Sequence, residues 1–334
     1  MPRNPLKGVE RAGRRGLNGL LRILFAGRRG PLPESPRSIL VVRTDNRLGN
    51  LVLMEPLLRS LGERFPDAAL ELLLSDVFSD LLVSQGYTVI PVDKKGQIKA
   101  PWRFPALVGR LRRRGYEVAI DASHPYSFSL SGAVSAAMAG SPCRIGTPSG
   151  RWEGWYTAVP APPDPDGHES RAIHGLGSVW PGWPGWTPPR LSIEGARPRR
   201  AVGIHVGGRP GKAYPEERLA EIVRGISAFC PVELYWGGEG EQRRAAAVSS
   251  GSASVMPVTD VTGFMRNVAG LSVFVSPDTG PMHVASALGV PTVGLFRTDN
   301  AGRFAPLSPG SVVLRDPDGA APGLVVDAVR AVFG

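Results

Sequence analysis

The chain is expected to form two successive α/β halves, each a doubly wound parallel sheet, facing each other across a cleft. Three observations predict this. From Ser38 short, nearly continuous apolar runs alternate with segments of helical period. The alternation breaks in a stretch rich in Pro, Gly and Trp at about 148–200, then restarts at Arg200. The length, 334 residues, exceeds one ordinary core and suits two domains.

In the first half SILVVR (38–43) is a strand by its Ile and Val content, followed by the polar loop TDNRLGN. Leu53, Leu57, Leu61 and Phe65 then recur every fourth residue, a helix with one core face. Pro56 inside it belongs near the first turns or at a bend. ALELLLS (69–75), YTVIPV (87–92), YEVAID (116–121) and CRIG (143–146) read as further strands. Trp102–Arg114 and Phe128–Met138 read as helices between them. PAPPDPDG and WPGWPGWTPPR mark an irregular, Pro-stiffened connection whose tryptophans require packing partners between the halves.

The second half opens with RAVGIHVG (200–207), a strand entering the Gly-rich loop GGRPGKAYP. Helix Glu216–Phe229, strand VELYWGG (232–238), and helices Glu241–Ser249 and Val261–Ala269 follow. Strand LSVFVS (271–276), helix Pro281–Leu288, strand PTVGLF (291–296) and a closing helix Leu324–Phe333 complete the half. The division is therefore a basic segment 1–37, a domain 38–170, a linker 171–199 and a domain 200–334.

Of the net charge of +10, residues 1–37 hold +7 and the other 297 residues only +3. That asymmetry argues against nucleic acid as a partner of the folded body. Within the basic segment Leu6, Val9, Gly13, Leu17, Leu20, Leu21, Leu24 and Phe25 recur at helical spacing between arginines, which suits a basic amphipathic helix on an anionic lipid surface through residues 1–30. Its apolar run is short and broken by Arg22, unlike a spanning helix or a signal peptide. Two distant cysteines, Cys143 and Cys230, exclude a disulfide scaffold and fit a reducing compartment. Five histidines without ligand spacing predict no metal site.

Chemistry concentrates in loops at strand C-termini, where such sheets bind ligands. After the strand ending at Ser276 comes Asp278-Thr279-Gly280-Pro281. Proline suits a first helical turn, so the amides around Thr279–His283 form an anion site fit for phosphate. Asp278 is expected to cap that helix or to bind sugar hydroxyls. Ala285, Ser286, Ala287 and Gly289 make the helix slim. Lys212 is placed to neutralise a diphosphate, and Glu241, after Gly237-Gly238, to bind ribose. Neither GxxxxGK[ST] nor a GxGxxG after the first strand occurs, so P-loop and classical dinucleotide sites are excluded. Asp164-Pro-Asp166 and Asp316-Pro-Asp318 lie in Pro-rich loops and read as turns.

SILVVRTDNRLGNLVLMEPLLRSLGERFPDA, GKAYPEERLAEIV, GGEGEQ and VSPDTGPMHVASALGVPTVGLF together resemble glycosyltransferase family 9, the ADP-heptose:lipopolysaccharide heptosyltransferases, in family order over about residues 38–334. The resemblance implies a GT-B fold with an acceptor domain followed by a nucleotide-sugar domain. It implies inverting, metal-independent transfer of a heptose or related sugar from an ADP-sugar to a lipid A–core acceptor, without a cofactor. By motif, Lys212, Thr279, Gly280 and His283 would hold the donor diphosphate, with Asp278 beside it and Glu241 at the nucleoside. A cytoplasmic enzyme, peripheral on the inner face of the inner membrane, would follow.

One departure bears on catalysis. The family's Gly-Asp, whose carboxylate is the expected base, is here Gly49-Asn50, and an amide oxygen is too weakly basic to replace it. Asp45 in the same loop is the first substitute, and Glu55 in the helix the next. The alternative is a non-catalytic nucleotide-sugar-binding protein that has lost its base; a UDP-sugar-type epimerase is a more remote third. His124, Arg144 and Arg151 are candidates for anionic groups of an acceptor.

Overall fold

A computed structural model describes Gly19 and residues 29–334, except 94, 95, 97, 98, 101, 150–153, 210 and 250. The amphipathic helix expected within residues 1–30 lies, apart from Gly19 and residues 29 and 30, outside the described residues.

The first sheet contains β1 (Ser38–Arg43), β2 (Ala69–Ser75), β3 (Thr88–Val92), β4 (Val118–Asp121) and β5 (Cys143–Ile145) in the order β3-β2-β1-β4-β5. All pairs are parallel, with Val41 opposite Leu72 on one side and Ile120 on the other. Helices α1 (Leu48–Arg64), α2 (Asp80–Val83), α3 (Arg103–Arg114) and α4 (Leu130–Met138) connect them. Ile39, Leu40, Val41 and Val42 are fully buried. Helices cover both faces of β1, so its apolar run does not alternate.

After α5 (Glu169–His174), the second sheet contains β6 (Val202–His205), β7 (Val232–Tyr235), β8 (Ser254–Val255), β9 (Val273–Pro277), β10 (Thr292–Phe296) and β11 (Val312–Arg315). Its order is β11-β10-β9-β6-β7-β8, again all parallel. The helices are α6 (Glu216–Ser227), α7 (Glu239–Ser249), α8 (Val261–Ala269), α9 (Gly280–Ala287), α10 (Ala301–Phe304) and α11 (Pro322–Phe333). Five of these elements, α2, α5, β8, α10 and β11, are absent from the sequence reading. Each has two to six residues, too few to display a period.

The Pro/Trp-rich connection is more ordered than its composition suggests, since it includes α5. Trp180 is 2% exposed. It stacks on Trp183 at 5.9 Å, meets Phe65 edge-on at 5.1 Å, and donates its indole N–H to Pro33 O at 2.8 Å. One buried cluster joins Leu57, Leu58 and Trp180 to Met265, Val284 and Ala287 of the second half, and Leu191 N donates to Ala287 O at 2.8 Å. An apolar seam thus fixes the halves beside the cleft.

Candidate functional site

In each sheet the strand order reverses at one point, between β1 and β4 in the first half and between β6 and β9 in the second. The carboxyl ends of strands at such a point form the natural ligand crevice of an open α/β sheet. Both crevices open on a cavity of about 710 Å³, lined from the first half by residues 46–50 and Asp80, and from the second by His205, Lys212, Glu241, Thr279, Gly280 and His283 among others.

Gly49 and Gly280 bring the two halves together here. A Cβ on Gly49 would lie 2.6 Å from His283 Cδ2, and one on Gly280 would lie 2.9 Å from Leu48 Cβ. Only hydrogen at both positions lets the start of α1 meet the start of α9.

Thr279 is the extended N-cap residue of α9, yet its hydroxyl caps no amide. It bonds instead to His205 Nδ1 and Ser276 Oγ, each at 3.1 Å. The first turn of α9 therefore faces the cavity with no side-chain cap and with the positive end of its dipole behind it. Asp278 does not cap it either, contrary to one of the two sequence expectations. Its carboxylate forms an ion pair with Lys212 and accepts from Asn300 Nδ2 at 2.6 Å. Asp278 stands two residues before the start of α9 and Lys212 on the loop after β6, so an anion entering the cavity competes with Asp278 for Lys212.

His205, which the sequence reading missed, and His283 are both buried, and burial pushes each down to about 4, so both rings are neutral at pH 7. The one signal for His205 was its place at the end of β6, opposite the DTG turn.

Glu241 accepts from Gly237 N at 2.8 Å and from Gly208 N at 3.2 Å, clipping together the loops after β6 and β7. A Cβ on Gly207 would fall 2.1 Å from its Oε1, which accounts for glycine there. Beside it Trp236, Met256 and Val258 form an apolar wall, with the Trp236 indole N–H on Met256 O at 2.7 Å. This wall suits a flat ring.

Across the cavity, Asp45 accepts from Arg43 Nε and from Asn50 Nδ2, both at 2.9 Å. Arg43 is fully buried and donates through Nη1 to Ala122 O at 2.6 Å. Asn50 lines the cavity, and Asp45 sits behind it. Glu55 lies away from the cavity, paired with Arg59 at 3.1 Å and accepting from Arg190 N at 2.9 Å, and burial raises its carboxyl above the ordinary range.

Of the acceptor candidates, His124 is exposed and Arg151 lies outside the described residues. Arg144 does not reach solvent. It is 1% exposed and spends its guanidinium on Trp155 O at 2.7 Å and Ser141 O at 2.9 Å. Both DxD strings are turns, with Asp166 N on Asp164 Oδ1 at 3.0 Å and Asp318 N on Asp316 Oδ1 at 2.9 Å. Among the described residues no group of three His, Cys, Asp or Glu is placed to hold a metal ion, and no helix is long and apolar enough to cross a membrane.

The sequence model of glycosyltransferase family 9 (heptosyltransferase) matches residues 194–328, the stretch that carries Lys212, Glu241 and the DTG turn. Over this stretch the chain is similar to glycosyltransferase family 9. Lipopolysaccharide heptosyltransferase 1 of Escherichia coli O18:K1:H7 is 29% identical over 133 residues, 39% of this chain and 41% of that protein. The sequence match thus spans about two fifths of the curated relative. E. coli heptosyltransferase WaaC with ADP aligns in structure over 88% of this chain and 99% of that one, with TM-score 0.75 and 19% identity. The same enzyme with ADP-2-deoxy-2-fluoro heptose gives TM-score 0.71 at 21% identity, covering 88% and 98%. The fold of this chain is GT-B, two parallel-sheet α/β domains about one cleft.

Proposed function

We propose that the protein is an inverting, metal-independent glycosyltransferase that moves a heptose or related sugar from an ADP-sugar to a lipid A–core acceptor. The observation that carries this reading is the convergence, on one wall of the cavity, of the uncapped start of α9, Lys212 and His283, opposite the 46–50 loop of the other half. Similarity to proteins solved with ADP and an ADP-heptose analogue supports the donor class.

In this reading the diphosphate sits on the Thr279–Gly280 amides and draws Lys212 from Asp278. Trp236 and Met256 flank the adenine, and Glu241 takes the ribose. The acceptor hydroxyl approaches from the first half. Its oxygen bonds to the anomeric carbon from the face opposite the leaving group, so the configuration inverts. Its proton passes to Asp45, the bond from carbon to phosphate oxygen breaks, and the amides and Lys212 hold the charge left on ADP. Those groups supply the charge compensation without a divalent ion. Asn50 fixes the Asp45 carboxylate from the cavity side.

Incubation with ADP-heptose and truncated lipopolysaccharide is expected to release ADP only when acceptor is present. Acceptor-independent turnover would instead indicate epimerisation, and no turnover with any ADP-sugar by a folded protein rejects the proposal.

The second reading, a donor-binding protein without catalysis, is favoured by Asn50 standing where the carboxylate is expected and by Asp45 being engaged by two donors behind it. Asp45→Asn separates the two. It keeps an oxygen for buried Arg43 and removes basicity, so transfer should drop by about 10²–10⁴ while ADP affinity stays. Unchanged transfer would remove Asp45 from the mechanism. The enzyme would act at the cytoplasmic face of the inner membrane, with the basic segment 1–30 on the lipid.

A further inference from the structure

Residues 94–114 carry eight basic side chains and no acidic one, although residues 38–334 together hold only +3. Most of these fall on α3. At about 100° per residue, Phe104, Leu107, Val108 and Leu111 share one side and pack with Leu40, Leu73, Tyr116 and Ala119 against the first sheet. The opposite side presents Trp102, 73% exposed, in line with Arg113, flanked by Arg103 and Arg110 on one edge and Arg112 on the other.

Two features set this face apart from an ordinary solvated helix. Arg112, Arg113 and Arg114 stand in the last turn, where they complement the helix dipole, but Arg103 stands at the positive end, where a cation is unfavourable. Among the described residues only Arg114 of this helix has a carboxylate partner, Glu71 at 3.1 Å; Arg103, Arg110, Arg112 and Arg113 form no ion pair. A large exposed indole among unpaired arginines is the pattern of a surface that rests at a bilayer interface, ring at the headgroups and cations on anionic lipid.

We infer that the outer face of α3 docks on the surface of a bilayer containing anionic lipid. β3 ends at the carboxyl edge of the sheet, the edge on which the cavity opens, and α3 begins there. Docking through Trp102 and Arg103 holds the rim of the cleft against the membrane, within reach of a lipid-linked hydroxyl. The inference rests on the proposed lipid-linked acceptor for its purpose. Vesicle binding is read without any transfer reaction, so the two fail separately.

The full-length protein is to be sedimented with vesicles of phosphatidylglycerol and phosphatidylethanolamine, and with vesicles of phosphatidylcholine alone. Each basic residue near an anionic surface contributes roughly fivefold in affinity. The triple variant Arg103→Glu, Arg110→Glu, Arg113→Glu loses three cations and adds three repelled carboxylates, so it is expected to bind anionic vesicles at least about a hundredfold more weakly than the wild type, with ADP affinity unchanged. The milder pair Arg103→Gln, Arg110→Gln should lose about twentyfold by the same count and serves if the triple variant is unstable. Reversal of Arg11, Arg14 and Arg15 should leave a remaining affinity that the α3 variants abolish. Equal sedimentation of wild type and α3 variants, equal binding to both vesicle types, or no binding of the wild type would each overturn the inference.

Discussion

Lys212 and Asp278 show how a single residue carries two roles. The ion pair is sheltered on the carboxylate side, where Asp278 is 7% exposed against 36% for Lys212. Removing the lysine therefore does more than weaken donor binding, because it leaves a buried carboxylate with Asn300 as its remaining donor. Lys212→Met is expected to lower kcat by about 10²–10³, the scale of one lost charge-stabilising donor, and to lower Tm as well. Steady-state kinetics and a thermal melt on the same sample check both, and a variant with full kcat removes Lys212 from the chemistry. Asn50→Asp addresses the other wall. A second carboxylate beside Asp45 in place of the 2.9 Å amide contact puts two like charges together, which raises the apparent titration of the pair. The rising limb of the rate profile should move to higher pH than in the wild type.

At the scale of elements, the site is made by two helix starts that meet. α1 and α9 approach through Gly49 and Gly280, and any side chain at either position intrudes on backbone or on the buried His283. Gly280→Ala would place Cβ 3.1 Å from Gly49 N as well as 2.9 Å from Leu48 Cβ. It is expected to cost about 1–3 kcal/mol of stability, the range for overpacking, and to weaken ADP binding at least tenfold by moving the α9 turn. Calorimetry and ADP titration test this, and wild-type affinity would show that the helix starts are not held by this contact. The slim helix was legible in Ala285, Ser286 and Ala287, but the glycine contact was not, because its partner lies more than two hundred residues away in the chain.

The whole molecule has a pH dependence set by its buried imidazoles. His174, His205 and His283 titrate at about 4 when folded against an ordinary 6.5, because burial disfavours the cation. Between those values the unfolded chain binds more protons, so stability is lost as pH falls from 6.5 to 4. The raised carboxyls of Glu55 and Asp121 act in the opposite sense, since the folded state holds their protons longer, and they offset part of the loss at the acidic end. Tm measured at pH 7.5, 6 and 5 should fall with each step below 6.5, and a flat profile would contradict the burial of the histidines. The two halves share the seam of α1, α9 and the tryptophan connection, so one cooperative transition is expected.

Periodicity and composition alone determined the two α/β halves, the parallel sheets and the loops that carry Lys212, Glu241 and the DTG turn. These are local properties, written in the order of apolar and turn residues along the chain. Tertiary structure decided the rest: that Asp278 pairs with Lys212 instead of capping α9, that His205 supports Thr279, that Arg144 is an internal strut, and that Asn50 stands in front of Asp45. Each of these depends on which distant segments the fold brings within hydrogen-bond reach. A sequence fixes the donors and acceptors present, but only packing determines which of them meet and which remain free for a ligand.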